Sequence, residues 1–358
     1  MSPQPNAPTH PNDWTVGLDD YLKQNRVLYD EAIPLNTSTS CYLWRLEGMK
    51  DAEASANGYV EGQPVVMKCA DSTPKSQAFQ VSPDRLRFEV KALTCKAVKE
   101  ACEQEPSVQV PRVLRTTTNG FIMNWLGQTD LWTAYRTGEL LDVSKVGARL
   151  GRWLGCLHLA GIALGPDGWS FEHSELSMFY APGGLADQTI NAAMDKDEAE
   201  KVLAAMRIPA PIRTLTPWDF RPMNIVVHFT DDKNAAPGLA VVDWELCHYG
   251  DPCDDIRMWV AEVVILETKL EKHGLLSSFL SAYKHHMGAA IVDHDFVFRV
   301  ALNVGIYILW LVPMDPAVWD CTEEDVESWK TKSLEFIRAG VNEDLAWIER
   351  SCLKYLLD

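Results

Sequence analysis

Positive charge is scarce in this chain. Its 33 lysines and arginines face 50 aspartates and glutamates, a net charge of −17 over 358 residues. Nucleic-acid backbones are held by basic patches, so nucleic acid is not an expected partner. A small phosphate-bearing ligand is still possible, because a bound divalent cation inverts the local charge balance. Long apolar runs are lacking too. The longest, Val300–Met314, is too short to span a bilayer and contains Asn303, so a buried helix is expected and a membrane partner is not. The nine cysteines include no C-x-x-C pair, which argues against a zinc site or a disulfide framework. Cys69, Cys95 and Cys156 lie in core-like stretches, and all nine read as reduced thiols in a cytoplasmic setting. The opening "MSPQPNAPTHPNDW" has neither the basic nor the apolar region of a signal peptide, and residues 1–13 read as a loose tail. With 47% hydrophobic and 23% charged residues, the chain is expected to fold around a packed core.

The pattern changes along the chain. Leu18–Tyr29 has the period of an amphipathic helix, and "YLWRL" (Tyr42–Leu46) and "VVMKCA" (Val65–Ala70) read as strands. A helix capped by Ser82 should run through "DRLRFEVKALTCKAVKEAC", with Leu86, Val90, Leu93 and Ala97 as its apolar stripe. Two strands around Asn119-Gly120 form a hairpin signal within Val110–Leu126. After Gly127 nearly everything is helical, interrupted only by a strand pair around Ile225 and Val242. The expected fold is therefore α+β. A β-rich part would span residues 14–127 and a larger helical part residues 128–358.

One stretch carries the chemistry. In "TPWDFRPMNIVVHF", Asp219 and Asn224 stand in a D-x-x-x-x-N spacing before a strand, and Asp243 follows nineteen residues later at the end of "LAVV". Asp and Asn are common turn residues, and that is the bland explanation. Three such groups at the ends of adjoining apolar strands can instead share one cavity. Phosphoryl transfer needs a carboxylate facing a hydroxyl, oxygen ligands for Mg²⁺ and a cation on the phosphates. Lys68, on an early strand, can supply the cation, and Glu89, on the following helix, can hold that lysine by an ion pair.

These segments resemble the aminoglycoside phosphotransferase and choline kinase superfamily, small-molecule kinases built on the protein-kinase fold. "WDFRPMNIVV" is similar to the family's catalytic loop, H-G-D-x-x-x-x-N, and "VVDWELCHYGDPCDDI" to its metal-binding aspartate and the G-D-P-x-x-D segment. Within the superfamily, "DWELCHYG" looks most like fungal secondary-metabolite kinases such as 4-hydroxytryptamine kinase. The resemblance implies a bilobal kinase-like fold, ATP and Mg²⁺ as cofactors, and phosphorylation of a hydroxyl on a small molecule. By position it makes Asp219 the catalytic base, Asn224 and Asp243 the metal ligands, and Lys68 with Glu89 the phosphate-binding pair. "IMNWLG" falls at the adenine-binding hinge, including Met123 and Trp125, and "LNTSTS", including Ser38 and Thr39, falls at the nucleotide-covering loop.

Two departures stand out. Pro217-Trp218 replaces the His-Gly that usually precedes the catalytic aspartate, and no glycine lies between Leu35 and Ser40. They motivate an alternative, a kinase-like protein that binds nucleotide or metabolite without turnover. Asp251 reads as a loop brace, Asp255 as an N-terminal charge on the next helix, and His158 as a satisfied core residue. Trp310, Trp319 and Trp329, with Glu323 or Glu324 nearby, could form an aromatic pocket for an amine-bearing acceptor. The acceptor itself and the oligomeric state are not legible.

Overall fold

The computed structural model describes residues 14–35, 41–70, 84–117, 119–138, 142–166, 169, 174–229 and 236–357. In chain order, α1 (Trp14–Gln24) leads to β1 (Glu31–Pro34), β2 (Tyr42–Glu47), α2 (Ala52–Ala56) and β3 (Val65–Cys69). Then come α3 (Arg85–Thr94), α4 (Lys96–Gln104), β4 (Val108–Gln109), β5 (Val113–Thr117) and β6 (Gly120–Asn124). The chain crosses through β7 (Thr129–Asp130) into α5 (Leu131–Thr137), α6 (Val143–Leu164), α7 (Ser174–Tyr180), α8 (Leu185–Ala193) and α9 (Lys196–Met206). Short strands follow: β8 (Thr214–Thr216), β9 (Ile225–His228), β10 (Gly238–Val241) and β11 (His248–Gly250). The rest is helical: α10 (Cys253–Leu270), α11 (Leu275–Met287), α12 (His294–Met314), α13 (Glu323–Val341) and α14 (Leu345–Arg350). This is the two-lobed α+β, kinase-like plan the sequence implies.

The small lobe is an antiparallel sheet in the order β1-β2-β3-β6-β5. Its central strand β3 is buried along its whole length, which puts Lys68 inside the protein. The Asn119-Gly120 hairpin forms as expected, pairing Thr117 with Gly120. A separate core under this sheet includes Leu22, Trp44, Met67 and Ile122.

The large lobe is organised by α6 and α11. Gly147, Gly151 and Gly155 recur every fourth residue on one face of α6, and a Cβ on Gly151 would lie 2.3 Å from the Phe279 carbonyl oxygen. Their bare backbone lets α11 approach closely. The apolar stretch around Val300 is α12, a helix of 21 residues whose most apolar window is 72% buried, so it is a core helix as expected. Its length and composition alone would suffice to cross a membrane.

Three expectations need correction. The helix after residue 84 is two helices, because Cys95 is extended (φ −73°, ψ 160°) and turns α4 away from α3 to pack on α6. Thr94 folds its hydroxyl back onto the Val90 carbonyl at this break, a bond that competes with helix continuation. Ser82, the expected cap, lies outside the described residues. The first helix ends at Gln24, five residues early, and Arg26 follows at φ +58°. The large lobe holds more strand than one pair, since β8 pairs with β11, and β4 and β7 flank β9 and β10. Strands of two or three residues are too short to show a period of two.

Candidate functional site

The end of β10 and the turn after it face the small lobe across a cavity of about 150 Å³. Lys68, Glu89, Asn224 and Asp243 line its polar side, and Val66 and Met123 are among its apolar walls. Lys68 Nζ is 2.6 Å from Glu89 Oε2, 2.6 Å from Asp243 Oδ1 and 3.3 Å from Glu245 Oε2. Burial alone would lower the lysine's pKa, but the three carboxylates, Asp243 foremost, outweigh it and hold Lys68 well above the ordinary value. Burial pushes Glu89 up to about 7, with Lys68 pulling the other way. Glu89 also accepts the Trp244 amide at 3.2 Å, which ties α3 to the turn carrying Asp243. Behind this group Arg85 Nε sits 3.3 Å from Glu245 Oε2, and the Cys41 thiol donates to the same oxygen at 3.0 Å.

Asp219 precedes a single 3-10 turn, Pro222–Asn224, which Asn224 ends. Asn224 Nδ2 donates to Asp219 Oδ2 at 2.7 Å and to the Asp219 carbonyl at 3.0 Å. The Asn224 carbonyl accepts the Val242 amide at 2.9 Å, which ties the loop to the end of β10 one residue before Asp243. Asp243 has φ +64°, a left-handed conformation that Asp tolerates better than most residues. It places the carboxylate beside Lys68 at the turn. Desolvation raises the Asp219 pKa, Arg221 lowers it, and the Asp243 charge adds to the rise.

Trp218 also has a positive φ, +65°, which costs a bulky residue about 1–2 kcal/mol. The surroundings compensate. Its amide donates to Asp255 Oδ1 at 2.8 Å, and its ring lies under the Arg257 guanidinium at 5.1 Å. Asp255 Oδ2 is 2.9 Å from His158 Nε2, and His158 Nδ1 is 2.8 Å from the Tyr283 hydroxyl, all fully buried. Asp255 is in the first turn of α10, as expected, and it also braces the residue preceding Asp219. His158 on α6 therefore reaches the Pro217-Trp218 loop only through Asp255. His158 is a satisfied core residue, as expected. Asp251 is a loop brace, accepting the Cys253 amide at 2.9 Å and pairing with Arg299 Nε at 3.2 Å.

Arg221 links Asp219 to the helices beneath. Its Nη1 is 3.9 Å from Asp219 Oδ1 and its Nε is 3.0 Å from Oε1 of the fully buried Glu262 on α10. Burial pushes Glu262 up to about 7, with Arg221 opposing.

The structure therefore brings Lys68, Glu89, Asn224 and Asp243 to one cavity, with Asp219 hydrogen-bonded to Asn224 at its edge. Met123 and Trp125 line it as well. Pairing of β6 with β3 ends at Asn124, so residues 125–127 leave the ladder, and Gly127 turns the chain onward at φ +129°. Ser38 and Thr39 lie outside the described residues. The aromatic-pocket expectation fails in part. Trp319 is buried edge-on against Trp132, Trp329 is buried beneath Lys332, and Glu323 and Glu324 are exposed in the first turn of α13. Only Trp310 approaches the loop, through Phe179. Sequence reading missed Glu245, Arg85, Glu262 and Arg257. Arg85 stands four residues before Glu89, hence on the same helix face, which is the one signal that could have found it.

No curated protein matches the sequence significantly. Among solved structures, a microcompartment-associated aminopropanol kinase superposes with TM-score 0.54 at 15% identity, covering 92% of this chain and 99% of that one. Wild-type aminoglycoside 2'-phosphotransferase-IIIa, a GDP complex, gives TM-score 0.52 at 12% identity over 92% and 99%. A Plasmodium vivax ethanolamine kinase gives TM-score 0.51 at 10% identity over 96% and 91%. At such identities these likenesses establish the fold. The family model described as the phosphotransferase enzyme family matches residues 76–272, more than half the chain and a span that includes Asp219, Asn224 and Asp243, and the chain therefore belongs to that family.

Proposed function

We propose that the protein transfers the terminal phosphoryl group of ATP to a hydroxyl of a small molecule. The observation carrying this reading is that Lys68 from the small lobe and Asn224 and Asp243 from the end of the β9–β10 pair of the large lobe line one cavity while Asp219 is hydrogen-bonded to Asn224. Retention of all these groups speaks against a nucleotide-binding protein that has lost turnover. The nine free cysteines suit a reducing, cytoplasmic compartment.

In this reading the small lobe, up to about Gly127, holds the nucleotide, with adenine against Met123 and the backbone after it. Lys68 neutralises the phosphates, and Glu89 keeps its amine in place. A magnesium ion asks for hard oxygen ligands. Asp243 offers a carboxylate, and Asn224, whose Nδ2 is spent on Asp219, offers its carboxamide oxygen. Oxygens of Glu89, Asp243 and Glu245 also lie within 4.8 Å of one another. The donor set fits Mg²⁺, with Asn224 and Asp243 holding it; bound there, it would offset the charge on the transferred group. Asn224 fixes one oxygen of Asp219, leaving the other for the acceptor hydroxyl. As the acceptor oxygen bonds to phosphorus and the bond to the ADP oxygen breaks, the hydroxyl proton passes to Asp219. Positioning and electrostatics carry most of the acceleration.

Thermal-shift titration tests the reading. Mg-ATP should raise the melting temperature by more than ATP without metal, through mass action. GTP is the parallel arm, since one solved relative is a GDP complex. A chain stabilised by neither nucleotide with Mg²⁺, and consuming neither with a panel of alcohols, would overturn the proposal.

A further inference from the structure

Beside Asp219 the protein builds an aromatic cage and fills it itself. The Arg257 guanidinium carbon lies 5.4 Å from the Phe179 ring centroid, 5.5 Å from Tyr180, 5.1 Å from Trp218 and 5.2 Å from Tyr307. The rings come from α7, from the residue preceding Asp219 and from α12. Aromatic faces gathered around one point attract a cation through their negative quadrupoles, and such cages commonly take an ammonium ligand. Here the residue is 1% exposed. Asp254 Oδ1 lies 3.2 Å from Arg257 Nε and accepts the Tyr180 hydroxyl at 2.6 Å. Arg257 Nη2 is buried with no hydrogen-bond partner among the described residues. A buried N–H left unpaired is costly, so the ring faces are what hold this end of the side chain.

The carboxylates that an ammonium would seek around the cage are also taken. Asp254 serves Arg257 and Tyr180, Asp255 serves His158 and the Trp218 amide, and Glu262 faces Arg221. The partly exposed charge next to Asp219 on this side is Arg221, itself a cation, with its side chain 21% exposed.

We infer that this cage is a cation site occupied from within by Arg257, which assigns the acceptor to alcohols that place no ammonium group there. The acceptor half rests on the phosphotransfer reading; the occupied cage does not. Arg257 is thus a specificity-determining residue: it fills the space and the electrostatic role that an ammonium head group would take, and it steadies the Trp218 ring next to Asp219.

Ligand-observed NMR with tetramethylammonium, in the absence of nucleotide, tests the assignment on the full chain. The parent should show no saturable binding. Arg257→Ala should bind tetramethylammonium or methylguanidinium saturably, at concentrations at least tenfold below the highest at which the parent shows none, and this binding should vanish when Trp218→Leu is added. Arg257→Ala should also melt lower than the parent and recover part of the loss in methylguanidinium. Should the alanine variant not fold, Arg257→Gln, which removes the charge and shortens the side chain, is titrated in the same way. Saturable binding to the parent, or no gain in the variant, overturns the inference. Because no nucleotide is present, either result leaves the thermal shift with Mg-ATP to decide the phosphotransfer reading separately.

Discussion

Lys68 Nζ lies 2.6 Å from Asp243 Oδ1, a contact that joins the central strand of the small lobe to the turn after β10 in the large one. The lysine has only 3% of its side chain exposed and faces Glu89 and Glu245 as well. Removing it strands the buried carboxylate of Glu89, while Arg85 remains beside Glu245. Lys68→Met is expected to cost about 3–5 kcal/mol of stability, as for other broken buried pairs. The loss should be smaller at pH 5 than at pH 8, because Glu89, raised to about 7 by burial even with its partner, takes up a proton at the lower pH. Urea unfolding at the two pH values measures this; an equal loss at both would contradict the account.

Glu262 gives a pH dependence of its own. Its carboxyl titrates at about 7 in the folded protein, raised by burial and opposed by Arg221. In the unfolded chain it titrates near the ordinary value, about 4.3. Below the unfolded value both states hold the proton. As pH rises toward 7 the unfolded chain ionises freely while the folded one resists, so the stability contributed by the protonated form is lost. Relative to Glu262→Gln, the parent should weaken by roughly 1.4 kcal/mol per pH unit across this window. Denaturant melts of both proteins between pH 4 and pH 8 give the difference, and a flat difference would contradict it.

Arg221 lowers the pKa of Asp219, which burial raises. An aspartate acting as base must be ionised, so activity should rise with pH through its titration. Arg221→Gln removes the favourable cation 3.9 Å away and should move the acidic limb of the kcat/KM profile to higher pH. A limb that stays in place would show that Asp219 does not set it.

In the proposed reaction Asp255 would act at one remove. Its Oδ1 holds the Trp218 amide while that residue sits at positive φ. Asp255→Ala should lower kcat at least tenfold through a displaced Asp219, with the melting shift from Mg-ATP retained. Loss of nucleotide stabilisation together with kcat would indicate general unfolding instead.

The β-rich half was largely legible because β2, β3, β5 and β6 are five or six residues long and their hairpin carries Asn-Gly, whereas the four-residue β1 was not seen. The two-residue strands β4 and β7 left no periodic trace. The helix break at Cys95 was invisible because both flanking segments favour helix and packing on α6 decides the turn. Spacing revealed Asp219, Asn224 and Asp243, whose roles depend on local loops. Arg257 and Glu262 look like ordinary polar positions on an apolar helix, and only folding shows what surrounds them. Asp255 was noticed for its place in the helix, while its contact with Trp218, 37 residues away, had no local sign.

The most direct test of the central claim is Asp219→Asn, which keeps size and the capacity to bond Asn224 but cannot take a proton. The account predicts that kcat falls by about 10²–10⁴-fold while Mg-ATP still raises the melting temperature as in the parent. Turnover at the parent rate in this variant would contradict the assignment of Asp219 as the group that receives the acceptor's proton.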